Sequence, residues 1–558
     1  MDASKTTNLH KQLCTYLNKR RVKQAIDILE TLIDSTSPNE LKDELNDVKI
    51  AYQRMLSYTI DGIDDPERDN IYVKLIQNIF KLGDKAKERS IEKYSGWNTY
   101  WAKHELLKSQ QIASKSIAET VDDLLFKSEL YELLYPNKES SLDPNSESAI
   151  RHKELIKNIF NHFWLTDYYG EAEDSLIQLI FNSDKFQWYE ASIFISAITL
   201  SLFRVWQSSK LLHLFKIYNL NKQQLMERAM VGIVINLYYY DQRISFYPEI
   251  LKAIKKSAEN KIFRTHFKIT VLQIIRSRET SILEKKLHDE ILPKMAKMSP
   301  KIENEIIFDD ILSDINDEKN PNWKAMFNDS EDIFKMMEEL SILQMEGADI
   351  YMSAFSSMKN FSFFNEMSNW FLPFYPDHES LNDVFKDDIL GPGTNELAEA
   401  MYKTPYICNS DKYSLIYNLK YIPDSQKNLV LKAFRMELEG LQEMNNNDAI
   451  IEDPNNTFKI NMSQYVQDIY RFFKLSLYKK EFEDIFSGKL DIYNCTAFSI
   501  ICDQPEDENL FADYFFDKNF FEDAKTLFIR QLPQAPDNEQ LYEKIGYCYQ
   551  KSMNYESA

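Results

Sequence analysis

Apolar residues recur at helical spacing along most of this chain. Between residues 9 and 35, Leu13, Tyr16 and Leu17 stripe one segment, and Ala25, Leu29 and Leu32 stripe the next. That pattern predicts a helical hairpin. Ser37-Pro38-Asn39-Glu40 combines a serine cap, a first-turn proline and a glutamate at the third helical position, so it predicts a helix start. Leu41, Leu45, Val48, Tyr52 and Met55 continue that helix at the expected spacing. Long helices are expected over about 66–92 and about 97–134, followed by a polar, proline-containing break at 134–150.

The middle of the chain repeats itself. Segments Trp188–Arg204, Met226–Tyr240 and Lys261–Arg276 share small and β-branched apolar residues and end at basic or polar turns, with centres about 37 residues apart. Shorter helices are expected between them, over 209–218 and 248–257. One such helix pair cannot bury its apolar face alone and must stack on the next. The arrangement resembles a HEAT-type array. The apolar run Ala191–Phe203 is flanked by Glu190 and Arg204 and is too short to cross a bilayer, which needs about 20 apolar residues. It reads as a helix buried between neighbours.

Farther along, 300–345 reads as acidic helix, and 351–376 crowds Phe355, Phe361, Phe363, Phe364, Trp370, Phe371, Phe374 and Tyr375. Such density suits either an interdomain core or an exposed contact patch. Gly391-Pro392-Gly393 marks a loop, helices resume near 395, and a further break is expected at 445–460.

The C-terminal pattern is more specific. Phe511, Ala512 and Phe515 are followed by Ala524, Phe528 and Pro536; one period later come Tyr542, Ile545, Gly546, Tyr549 and Ala558. These residues resemble tetratricopeptide repeats, helical hairpins whose small residues let two helices approach closely. Glu508 and Gln531 depart from the pattern. The hairpin at 9–35 and the segment Tyr465–Phe486 resemble it more loosely. Because Ala558 falls at the start of a second helix, the chain reads as a piece of a longer array. The layout is similar to large bacterial tetratricopeptide-repeat proteins of undefined function. The resemblance implies a concave groove lined by first helices, placing Asn509, Asp513, Phe516, Gln540, Glu543, Tyr547 and Gln550 in it. Asn509 and Asp513 occupy the pair that relatives use to clamp a C-terminal carboxylate. Acidic Asp513 argues against that ligand here.

Composition sharpens the picture. Only 11 glycines and 17 prolines occur in 558 residues, too few for a turn-rich β architecture. The net charge of -21 disfavours nucleic acid and anionic membranes. Charge is uneven: residues 251–300 hold 12 Lys/Arg against 5 Asp/Glu, whereas 301–400 hold 6 against 22. Two opposed faces that attract each other, or a docking site for a charged partner, would both explain this. The candidate basic patch is Lys252, Lys255, Lys256, Lys261, Arg264 and Lys268. Five scattered cysteines without a CxxC argue against a disulfide framework or a zinc ribbon, and no secretory leader is evident. A cytoplasmic location is expected.

No nucleotide-binding, metalloprotease or hydrolase motif occurs. His288-Asp289-Glu290 points its side chains in different directions along a helix, and Asp61, Asp64, Asp65 and Asp69 lack the glycine and bidentate glutamate of a calcium loop. No cofactor, metal or catalytic residue is expected. The sequence therefore predicts an all-α solenoid with a helical N-terminal module over 1–135, HEAT-like repeats over 150–300, an acidic aromatic-rich segment over 301–450 and tetratricopeptide-like helices over 460–558. The expected function is protein-binding scaffold or adaptor. The alternatives are a regulatory or substrate-recruiting subunit of an enzyme complex, and an enzyme whose site is assembled from sequence-distant residues.

Overall fold

A computed structural model describes residues 2–34, 39–62, 65–113, 147–183, 185–286, 348–350, 352–376, 394–405, 407–419 and 455–553, with isolated positions at 119, 121, 289, 343, 378, 381 and 421. Ser37-Pro38, the 134–146 break, the acidic stretch 300–342, Gly391-Pro392-Gly393, most of His288-Asp289-Glu290 and the final residues to Ala558 lie outside the described residues. The fold is all-α, and no strand occurs among the described residues.

The chain forms two compact units. The first comprises Met1–Leu272, Phe371–Pro373 and Tyr478–Ala558; the second comprises Gln273–Trp370 and Phe374–Leu477. This grouping cuts across the four segments read from the sequence, joining the N-terminal module, most of the HEAT-like middle and the C-terminal hairpins in one body.

In the first unit α1 (Ala3–Asn18) and α2 (Val22–Asp34) form the expected hairpin, turning at Arg20 with a left-handed φ of 55°. They pack on α3 (Asn39–Ile60) and α4 (Arg68–Tyr94). Gly83 of α4 lies so close to α1 that a Cβ there would come within 2.5 Å of Leu13. Next come α5 (Asn98–Ala113), α6 (Glu147–Leu165), α7 (Glu171–Asn182), α8 (Trp188–Arg204), α9 (Ser208–Tyr218), α10 (Leu225–Tyr239), the single turn α11 (Asp241–Ile244), α12 (Pro248–Ala258) and α13 (Lys261–Lys286), whose residues from Gln273 onward belong to the second unit. Helices α8, α10 and α13 match the three similar segments. α6 adds a further member that the sequence reading missed, and α6, α8 and α10 pack side by side in order. Every residue of α8 from Glu190 to Arg204 is buried. No described helix is long and apolar enough to cross a membrane.

The contact between α8 and α10 depends on Gly232. A Cβ there would sit 2.6 Å from Thr199 Oγ1 and 3.1 Å from Leu214 Cδ1. Thr199 cannot turn aside cheaply, because it is β-branched and its hydroxyl donates to the Ile195 carbonyl at 2.9 Å. Gly232→Val is expected to destabilise by roughly 1–3 kcal/mol through overpacking, read as a lower urea midpoint.

The C-terminal part of this unit lies back on the first half. Residues 476–495 run as turns and 3-10 segments rather than the second helix expected within Tyr465–Phe486. Glu481 accepts from the backbone N–H groups of Asn98 at 2.9 Å and Thr99 at 3.0 Å, capping the N-terminus of α5 from far along the sequence. Trp164 packs on Tyr478 and Phe482 with ring centroids 6.2 and 6.3 Å away. Asp241 in turn accepts from Thr496 N–H at 2.7 Å, capping α18 (Thr496–Ile501). Helices α19 (Pro505–Asp517), α20 (Phe521–Gln531) and α21 (Glu539–Lys551) complete the unit.

The second unit contains α14 (Met352–Ser356), three 3-10 turns over 357–370, α15 (Thr394–Lys403), α16 (Asn409–Leu419) and α17 (Asn456–Leu475). The break expected to reach residue 460 therefore ends earlier. Of the aromatic segment, Phe355, Phe364, Trp370, Phe371 and Phe374 are buried. Phe363 packs on Tyr413 at 4.9 Å and Trp370 on Phe472 at 6.1 Å. Its backbone is held by side chains: Trp370 Nε1 donates to the Phe364 carbonyl and Asn369 Nδ2 to the Phe363 carbonyl, each at 2.8 Å. The segment is largely core.

Candidate partner-binding surface

Helices α19 and α20 form an antiparallel hairpin because their apolar faces match. Phe511, Ala512, Phe515, Ala524, Leu527 and Phe528 are essentially inaccessible. The two alanines allow close approach and the aromatics fill the remainder. Gln531, which departs from the small-residue pattern, is buried, and its Nε2 has no hydrogen-bond partner among the described residues. A buried amide left so costs about 1–3 kcal/mol.

Helix α21 packs against α20, and α19 and α21 meet through the side-chain pairs Phe516–Tyr547 and Asp513–Lys544. Asn509 and Asp513 on α19 and Gln540, Glu543, Tyr547 and Gln550 on α21 are all exposed. Phe516 is half-buried, with its ring 5.4 Å from Tyr547, and Phe521 lies 5.7 Å from the same tyrosine. Lys551 Nζ stands 5.2 Å from the Tyr547 ring centre. Asp513 pairs with Lys544 at 2.6 Å, with both side chains well exposed. Of the groove residues expected from sequence, the structure thus brings Asp513, Phe516 and Tyr547 together around an aromatic floor with cationic edges. Phe521, Lys544 and Lys551 join them; the sequence reading missed these, because Phe521 is on the second helix and lysines on a helix surface carry no pattern. Pairing with Lys544 offsets the charge of Asp513.

The basic patch does not hold together as a site. Arg264 donates to Asp503 at 2.6 Å and to Asp507 at 3.0 Å, and Lys268 donates to Asp507 at 2.6 Å. Both basic groups are therefore engaged with the end of α18 and the start of α19. Lys252, Lys255, Lys256 and Lys261 are exposed, but Glu249 and Glu259 are exposed on the same helix face as the α12 lysines. That dilutes the field a polyanion would need.

Several ionisable groups lie deep inside, brought together from positions far apart along the chain. Asp84 receives both Arg243 terminal nitrogens, at 2.6 and 2.7 Å, and His10 Nε2 at 2.7 Å. Burial lowers the pKa of His10 to about 4, against the pull of Asp84. Arg204 donates to the Trp164 and Leu165 carbonyls at 2.9 and 3.0 Å, to Glu88 at 3.1 Å and to Asp167 at 2.8 Å. Lys210 donates to the carbonyls of Thr166 and Asp167 at 3.0 and 2.7 Å and approaches Ser201 Oγ at 2.8 Å. Burial and the neighbouring Arg204 push its pKa well down. It caps the end of α6 from within. In the second unit Arg471 binds Asp349 and Asp411, and Asp411 also pairs with Lys359 at 2.8 Å.

The cavities lie elsewhere. One, of about 480 Å³, opens between Met358, Asn360, Phe361, Asn418 and Tyr421. Another, beside Asp349 and Gln467, has room for about one water, 10 Å³. Among the described residues no group of His, Cys, Asp and Glu could hold a metal ion. Comparison of the chain with family models, curated proteins and solved structures finds no match.

Proposed function

We propose that this protein is a helical-repeat scaffold that holds extended segments of other proteins, and that α19–α21 are tetratricopeptide repeats presenting one such groove. The observation that carries the reading is the strip across α19 and α21. It offers an aromatic cluster of Phe516, Phe521 and Tyr547, and the exposed amides of Asn509, Gln540 and Gln550 stand on the same two helices, α19 and α21. Aromatic floors anchor side chains, and amides satisfy a peptide backbone. The disposition of the charged interior supports the same reading. Groups with shifted pKa values such as His10, Lys210 and Lys412 line neither cavity described above. An assembled catalytic site would bring such groups together at an opening. Polar groups rather than a strong field at the strip favour a protein partner over a polyanion, and a cytoplasmic site of action fits the free thiols.

The test is selection of peptides from a displayed random library on the full chain, followed by affinity measurement. Phe516→Ala with Tyr547→Ala is expected to weaken the selected peptides at least tenfold, since central aromatic anchors carry most of such affinities. Peptides that bind the doubly substituted chain unchanged would remove the groove from the proposal.

A further inference from the structure

The hairpin of α3 and α4 extends beyond the layer that covers it. Leu41, Leu45 and Val48 on α3, and Leu75, Ile76, Ile79 and Phe80 on α4, are buried against α1 and α2. Both stripes then continue uncovered. On α3 the stripe runs on through Tyr52 and Met55, half-buried, to Leu56 and Ile60, which are 41% and 83% exposed. On α4, Ile71, one turn before Leu75, is 48% exposed. The cover ends at the α1–α2 turn, where Tyr72 Oη donates to the Arg20 carbonyl at 3.4 Å. From Tyr52 to Ile60 the overhang runs about 12 Å at 1.5 Å per residue.

Its two ends carry opposite charge. At the tip are Asp61, Asp65, Glu67 and Asp69, with one arginine, Arg68, among them. At the inner edge the α1–α2 turn presents Lys19, Arg20 and Arg21, all exposed. Among the described residues of the tip, Gly62 takes a φ of 70°, Asp65 Oδ1 accepts from the Glu67 N–H at 2.9 Å, and Glu67 accepts from Asn70 at 2.8 Å.

An apolar centre between an acidic end and a basic end is self-complementary under a twofold axis. Turned antiparallel, each acidic tip meets the other chain's Lys19-Arg20-Arg21, and Leu56, Ile60 and Ile71 meet their copies. A uniformly anionic surface would be repelled at the tip, and a uniformly basic segment at the turn. We infer that this overhang is a homodimerisation surface, its occupant the same hairpin of a second copy in antiparallel register. With an overhang of only about 12 Å along α3, the association is weak, concentration-dependent and loosened by salt.

Sedimentation velocity of the full chain, up to about 100 µM, reads this directly, because interfaces of this size associate in that range. The wild type is expected to shift toward dimer with concentration, and Ile60→Asp with Leu56→Asp to stay monomeric. The decisive arm uses charge reversal. One variant carries Arg20→Glu and Arg21→Glu; the other carries Asp65→Lys and Glu67→Lys. Each alone is expected to be monomeric, and the two mixed to form a heterodimer. A wild type that stays monomeric, an aspartate variant that dimerises normally, or a mixture that gains nothing would each overturn the inference. These readouts do not depend on α19–α21, so they stand or fall apart from the groove.

Discussion

Replacing Arg243 with methionine is expected to destabilise the first unit by about 3–5 kcal/mol, as for other buried ion pairs that lose one partner. Asp84 is 6% exposed at its side chain and holds both Arg243 nitrogens. Burial alone would push its carboxyl up; the Arg243 charge and hydrogen bonds, then His10, hold it well below the usual range instead. Without Arg243 the carboxylate keeps only a neutral imidazole. The pair also joins α4 to α11, and His10 brings in α1, so the loss loosens three elements together. Asp84→Leu in the same chain is expected to recover much of the loss, because an apolar pair of similar size avoids the desolvation cost. Urea unfolding of both single variants and the double closes the cycle. Additive losses would show that the two residues do not act on each other.

The pH dependence gives a second check. In the wild type the pKa of His10 is lowered to about 4 from 6.5 by burial, with the cations Lys87 and Arg243 also lowering it. The unfolded chain therefore binds more protons between those values. Stability is full above about 6.5 and falls as pH drops toward 4. In the Arg243→Met variant the repulsion from Arg243 is gone and Asp84 remains. His10 is then expected to protonate more readily and to take over as the cation. The gap between variant and wild type should narrow from pH 7.5 to pH 5 in the same urea series. A gap that widens in acid would contradict this assignment of roles.

The helical stripes were legible because each depends on neighbours three and four residues away. Leu29 with Leu32, or Phe511 with Phe515, announces a buried face on its own, and the structure buries those faces. Helix α6 was missed because its predecessor in sequence is the polar stretch up to 146, which masked the start of the periodic run. The partnerships of isolated charges were not legible at all. Arg204 looked like the boundary of an apolar run, whereas it is buried and bound to Glu88 and Asp167. Nothing local to Arg204 could name partners so remote in the chain. The same holds for Glu481, an ordinary surface residue by sequence that caps α5. On α19 and α21 the candidate positions rest on the resemblance to a repeat, whereas the Asp513–Lys544 pair needed the distance between two helices. Within the basic patch the limit is a related one: net charge over a window says nothing about which cations already have carboxylates, and Arg264 and Lys268 do.

Lys412 is where a single substitution should stabilise the protein. It sits on α16, is 2% exposed, and among the described residues donates only to the Tyr402 carbonyl, at 3.5 Å, with the Phe374 ring centre 6.0 Å away. Burial lowers its pKa from 10.5 to about 7; Cys408 and Asp468 oppose this weakly. Their help is limited. The Cys408 thiol is itself driven well up by burial and carries no charge at neutral pH. Asp468 is occupied in accepting from the Ser410 N–H at 2.8 Å and Asn409 Nδ2 at 3.0 Å.

A lysine whose folded pKa lies below its unfolded one costs stability wherever the unfolded chain is protonated. Below about pH 7 both states are protonated and the whole cost is present. Between there and about 10.5 the unfolded chain holds the extra proton, so stability rises with pH, by up to 1.36 kcal/mol per unit. Lys412→Met keeps the length of the side chain and removes the charge. It is expected to stabilise α16 by about 3 kcal/mol at pH 6.5, with the gain shrinking to near zero by pH 10. Hydrogen–deuterium exchange of the peptide covering 407–419 in the full chain reads this locally. Protection in the wild type should rise with pH after correction for intrinsic exchange, while the variant stays flat. Equal protection in the two chains at pH 6.5 would mean that the ammonium finds compensation that these contacts do not provide.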